Sequence, residues 1–189
     1  MLSMRAVAVL ALLVGMSGAA RAGDDILDAI GVAQKSYQSG DLAGAKQSLD
    51  LASQLIAQKN AEGFAALLPD PLPGWKAEKA QSTAMGAAIF GASVASRSYS
   101  NAKGDTVEVQ ITGDSAMVMQ FATLMSNPQF AGAMGKLVKV GNQRAIQTAD
   151  GDINMVVANK FLVTVQGSGT GADKAAYAQA VDIIRLTTM

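Results

Sequence analysis

The sequence predicts an α+β protein, with an N-terminal two-helix hairpin followed by an antiparallel β-sheet domain with packed helices. Three observations support this prediction. Apolar residues recur at helical spacing before residue 68, they alternate with polar residues after residue 74, and three of the four prolines lie between these regions in Pro69–Pro73. We therefore divide the chain into a leader (1–22), a helical hairpin (23–68), a proline-rich linker (69–74) and an α+β domain (75–189).

The leader has the pattern of a cleavable signal peptide. Arg5 carries the charge of its first segment, and nine apolar residues follow from Ala6 to Val14, a run too short to span a bilayer. The leader ends in the A-x-A site Ala20-Arg21-Ala22, which predicts cleavage between Ala22 and Gly23. We expect an exported protein, periplasmic or secreted, and no later segment is apolar for long enough to predict a membrane span.

Composition narrows the function mainly by exclusion. The chain has no histidine and no cysteine, which excludes Ser-His-Asp and Cys-His catalysis, disulfides, and zinc sites built on those side chains. Basic and acidic side chains are equal in number, and loss of Arg5 and Arg21 with the leader would give a net charge of −2. This balance gives no reason to expect a nucleic-acid partner, and the sequence indicates no cofactor.

The hairpin is predicted from two apolar stripes and the turn between them. Gly40 is suited to ending the first helix, and Asp41 can cap a second helix that runs from Leu42 to about Leu67. The stripes comprise Ile26, Ile30, Ala33 and Tyr37 in the first helix, and Ala45, Leu49, Ala52 and Ile56 in the second. The turn resembles one tetratricopeptide-type hairpin, although such arrays need about three repeats. The stripes can pack on their own domain, on a partner, or on a second copy of the chain.

The region after the linker alternates as strands do. The predicted strands are Trp75–Lys79, Ser93–Ser100, Asp105–Thr112, Lys136–Val140, Gln143–Thr148, Ile153–Ala158 and Phe161–Gln166. Helices are predicted over Ser115–Met125 and from Asp173 to Leu186, and Tyr177, Val181 and Ile184 share one face of the second. The small apolar segment 81–92 is ambiguous between a core helix and a contact surface.

The order of these elements, opening on Pro73-Gly74-Trp75, resembles the Mog1/PsbP-like fold over residues 73–187. Members of that group are mostly accessory or binding proteins without catalytic activity. The resemblance therefore implies a non-catalytic role, by analogy of fold.

Two groups of residues are candidate sites. Trp75, Met85, Ile89 and Phe90 would form an apolar contact for a protein partner or an apolar small molecule. Gly167, Gly169 and Gly171 lie in a glycine-rich strand-to-helix loop whose backbone amides would hold an anion. The sequence favours an exported binding or accessory protein over a self-associating envelope protein, and both over a hydrolase built on carboxylate, lysine or serine groups. No metal site is predicted.

Overall fold

Two antiparallel helices open the part of the chain that the computed structural model describes, residues 22–84, 92–113 and 115–189. They are α1 (Ala22–Gln38) and α2 (Leu42–Ala65). Gly40 lies between them with a φ of 82°, a left-handed conformation that glycine adopts at little cost. Asp41 caps α2, because its carboxylate accepts a hydrogen bond of 2.9 Å from the Gly44 amide. The hairpin is as the sequence predicts.

An antiparallel sheet of eight strands follows, which confirms the predicted α+β class. The strands are β1 (Trp75–Ala77), β2 (Gln81–Ala84), β3 (Ser93–Asn101), β4 (Thr106–Gly113), β5 (Lys136–Val140), β6 (Gln143–Gln147), β7 (Ile153–Val157) and β8 (Phe161–Gln166). Their order is β1-β3-β4-β8-β7-β6-β5, and β2 also pairs with β3. Thus β1 and β2 share one edge, where each pairs with a different half of β3.

The inner face of the sheet carries the core. Val107, Val109 and Ile111 of β4 are fully buried on this face, as their alternation predicts. The C-terminal end of α2 and two short helices, α5 (Gly171–Ala180) and α6 (Ile183–Thr187), cover it, with Phe64 and Tyr177 among the buried side chains. Burial of these apolar side chains stabilises the protein without disulfides.

The proline-rich segment predicted as a linker lies against the sheet. Pro69 is buried, and its carbonyl accepts hydrogen bonds from the Tyr99 hydroxyl (2.6 Å) and from Arg97 (3.3 Å). Leu72 packs at the edge of the core, and its amide donates to the Tyr177 hydroxyl at 3.3 Å. The segment therefore joins the hairpin and the sheet through shared contacts.

The outer face of the sheet is covered in part by α3 (Ala116–Ser126) and α4 (Pro128–Met134). Ile146 points to this face and is fully buried, and α4 contacts β5 and β6. The sequence predicts α3 to within a residue, but α4 is not predicted. Asn127 caps α4 by accepting a hydrogen bond from the Gln129 amide, with Pro128 in the first turn.

The C-terminal helix predicted as one element is two. The backbone of Val181 is extended, with a ψ of 133°, and Asp182 then caps α6. Tyr177 and Val181 are buried as predicted, whereas Ile184 is exposed because the break rotates α6 away from the face expected for one continuous helix. No helix in the described ranges is both long and apolar enough to cross a membrane.

Candidate functional site

The helical hairpin is held together by small side chains. Ala29 and Ala33 of α1 and Ala45 and Ala52 of α2 are buried, and they form the seam between the helices. Alanine seams let two helix backbones approach closely, but they leave no room for larger side chains. The large members of the predicted stripes therefore lie outside the seam.

Five large apolar side chains form an exposed face on the hairpin, each between 43% and 69% exposed. We call Ile30, Tyr37, Leu42, Leu49 and Ile56 the hairpin face. The three members in α2, Leu42, Leu49 and Ile56, are seven residues apart, which is close to two helical turns, so they share one side of the helix. Ile30 and Tyr37 have the same spacing in α1.

The two stripes emerge on the same side of the hairpin. Tyr37, Leu49 and Ile56 each lie four positions after a buried seam alanine, which rotates them by about 40° from the seam in the same direction. In an antiparallel pair of right-handed helices, equal rotations from the seam lead to the same flank. The hairpin face therefore lies on one flank of the hairpin rather than on two.

Few charges border the hairpin face. Lys46 and Asp50 of α2 pair with each other at 2.6 Å, and both are exposed. From Asp25 to Glu62 the hairpin carries five carboxylates and three lysines. The opposite flank has an apolar groove of about 450 Å³ beside Val32 and Leu51, and Asp25 and Asp28 also line it.

Trp75 belongs to the core more than to an open surface. It is half-buried, and its ring meets the Tyr177 ring edge to face at a centroid distance of 5.5 Å. The other three residues of the predicted apolar site, Met85, Ile89 and Phe90, lie outside the described residues. The predicted apolar site therefore stays a prediction.

The glycine-rich loop uses its amides internally. Gly167 has a φ of 129°, and a Cβ there would lie 2.3 Å from the Thr106 carbonyl oxygen. The Gly169 amide donates to that same oxygen at 2.9 Å. The close approach of this loop to β4, rather than a ligand, accounts for both glycines.

The helix that follows the loop is capped by its own side chains. Thr170 and Asp173 form a capping box, in which the Asp173 carboxylate accepts from the Thr170 amide at 3.0 Å. This carboxylate occupies the place an anion would take at the start of α5. Gly171 lies beside the Gln147 side chain. The arrangement does not favour an anion at Gly167, Gly169 or Gly171.

A groove of about 610 Å³ opens where β3, β4 and β8 meet the β6–β7 turn. Its acidic side chains are Glu78, Glu108, Asp150 and Asp152. Asp152 pairs with the buried Lys174 at 2.7 Å, and the Glu108 carboxylate accepts a hydrogen bond from the side-chain amide (Nε2) of Gln166 at 3.2 Å. Within the described ranges no three metal-ligating side chains cluster.

Sequence reasoning identified most of the hairpin face but not its exposure. It placed Ile30, Tyr37, Leu49 and Ile56 on apolar stripes and omitted Leu42. The seven-residue spacing from Leu42 to Leu49 to Ile56 was the signal that could have found it.

Comparisons with known proteins found no relative of this chain. No family model, no curated protein and no solved structure matches the chain significantly. The resemblance to the Mog1/PsbP-like fold accordingly stays a prediction.

Proposed function

We propose that this chain is an exported, non-catalytic binding protein that engages another protein through the hairpin face. The observation that carries the proposal is the exposure of five large apolar side chains, which their helical positions place on one flank of the hairpin. Contiguous apolar surfaces of this kind are uncommon on soluble monomers and are typical of interaction sites.

Burial of the hairpin face would supply part of the free energy of a specific contact. Complete burial of one large apolar side chain contributes roughly 1.5–3 kcal/mol. Since each member of the hairpin face is about half exposed, covering all five would contribute on the order of 5 kcal/mol. The loss of translational and rotational freedom on association costs at least about 4 kcal/mol, so a stable complex needs further buried surface around the hairpin face.

The chemistry of the hairpin favours a protein over a lipid surface. Helices that lie on membranes are usually rich in lysine and arginine on their polar side, whereas acidic residues outnumber lysines here. The seven-residue spacing of Leu42, Leu49 and Ile56 is suited to the interlocking of side chains with another helix. We therefore expect an apolar helix as the contacting element.

A second copy of the chain is the second candidate partner. Two helices with one shared apolar face are half of a four-helix bundle, and pairing two hairpins would complete it. The sparse charge around the hairpin face raises no repulsion between identical copies.

The first test is sedimentation equilibrium of the chain from Gly23 over a wide concentration range. If a second copy covers the hairpin face, the mass doubles, and Leu49→Asp returns it to that of a monomer. Leu124→Asp is the matched control, because Leu124 of α3 is also exposed but lies outside the hairpin. It should leave the dimer intact.

A monomer calls for a second test, in the envelope of the host cell. A photoreactive residue at position 49 should crosslink one defined protein, Ile56→Asp should abolish that crosslink, and position 124 should give none. A monomer that crosslinks equally from both positions, or not at all from position 49, would show the proposal to be wrong.

A further inference from the structure

A cleft of about 310 Å³ lies on the outer face of the sheet, between α3 and α4 and the ends of β5, β6 and β7. Met125, Leu137 and Val156 provide apolar walls. Arg144, Asn142 and Asn159 provide polar groups, and no carboxylate among the described residues lines the cleft. Half of the ten lining residues are apolar and half are polar, so the cleft offers both kinds of contact at a volume within the range of small-molecule sites, from about 300 Å³ upward.

A second observation concerns the positive charge of Arg144, which lines the cleft, and of its strand partner beside it. Lys139 of β5 and Arg144 of β6 are direct cross-strand partners. Lys139 is two residues from Leu137, so it projects from the same face of the sheet as this wall of the cleft. Like charges directly opposite each other destabilise a strand pair, and in the described ranges neither side chain forms an ion pair.

We propose that this cleft binds a small organic acid with one apolar group. Its carboxylate lies between Arg144 and Lys139, where it relieves the repulsion between the two cations and accepts hydrogen bonds from the guanidinium. The amide groups of Asn142 and Asn159 are further donors. The apolar group lies against Met125 and Leu137. The hairpin contributes no residue to the cleft, so this site does not depend on the proposed function.

Binding of octanoate to the chain from Gly23 tests the proposal, with amide chemical shifts and titration calorimetry as readouts. Octanoate should shift the amides of residues 137–144 and 156–159 and bind saturably. Octanol lacks the carboxylate and acetate lacks the apolar chain, so each should bind at least about tenfold more weakly.

Two substitutions separate the site from general charge effects. Arg144→Gln removes an exposed guanidinium and should weaken octanoate binding about tenfold or more, since hydrogen bonds to charged groups are the strong ones. Lys103→Gln removes an exposed lysine of the β3–β4 turn and should leave binding unchanged. Both variants should keep the far-ultraviolet circular dichroism of the parent protein.

Three results would overturn the proposal. These are the absence of shifts around the cleft, equal binding of octanol and octanoate, and equal affinity of the Arg144→Gln and Lys103→Gln variants. Each is independent of whether the hairpin face binds a partner, because the hairpin substitutions lie on different elements.

Discussion

Phe64, near the C-terminal end of α2, anchors the hairpin on the sheet, and its replacement gives the sharpest test of the core. The side chain is buried, and its ring meets that of Phe161 edge to face at a centroid distance of 5.5 Å. Phe64→Ala should lower the free energy of unfolding by about 3–5 kcal/mol, through lost burial and the cavity left behind.

Gly113 lies against Phe64 and allows a second substitution that tests the same packing. A Cβ at Gly113 would lie 2.7 Å from Cζ of Phe64 and 2.8 Å from Cδ1 of Phe161, distances at which atoms must move. Gly113→Ala alone should therefore cost about 1–3 kcal/mol through overpacking. In the Phe64→Ala protein one of the two clashes is absent, and the Phe161 ring has space into which to move.

The two changes should consequently be coupled. We expect Gly113→Ala to cost at least about 1 kcal/mol less in the Phe64→Ala protein than in the parent, within the range found for contacting residues. Urea unfolding of the four proteins of the cycle, followed by circular dichroism, measures this difference. Additive effects, within about 0.5 kcal/mol, would refute the packing described for Phe64 and Gly113.

Two further predictions concern buried polar groups. Tyr99→Phe should lower the free energy of unfolding by about 1 kcal/mol, because it removes the hydrogen bond to the Pro69 carbonyl. Burial raises the pKa of the Tyr99 hydroxyl above its ordinary value of 10.0. The contribution of this group to stability should therefore be constant well below pH 10 and fall as the pH rises through 10 and above, so that stability falls less steeply in Tyr99→Phe; urea midpoints against pH measure this. Asp152→Ala should lower the free energy of unfolding by about 2–3 kcal/mol, because it leaves the buried Lys174 ammonium with only the Asp150 carbonyl as a partner. This value is below that for a fully buried ion pair because Asp152 is partly exposed. Lys174→Met, which removes the charge itself, should cost less in the same urea experiment, and the reverse order would contradict this account of the pair.

Local patterns in the sequence predicted most of the elements. Alternation in β4 and the turn residues between the later strands identify the sheet, because side chains on a strand alternate between its two faces. Gly40 and Asp41 locate the hairpin turn, since both act through backbone conformation and a local cap. The sequence did not predict the break at Val181, because no glycine or proline marks the end of α5. Val181 instead packs into the core at this point.

The candidate site could be predicted only in part. Periodicity identified the apolar stripes but not which members of them are buried, because burial depends on how closely α1 and α2 approach. The alanine seam brings the helices together and leaves Leu49 and Ile56 outside. The opposition of Lys139 and Arg144 depends on the register of the β5–β6 hairpin, and the cleft depends on where α3 and α4 cross the sheet.

By itself the sequence determined the fold class, the hairpin and most strand positions, because these follow from interactions between residues close together in the chain. Only the tertiary structure decided that Trp75 and the glycine-rich loop are occupied by structural contacts, that the hairpin face is exposed, and that a cleft lined by Arg144 lies between α3, α4 and the sheet. These features join residues that are distant in sequence, and their geometry is set by packing and strand register.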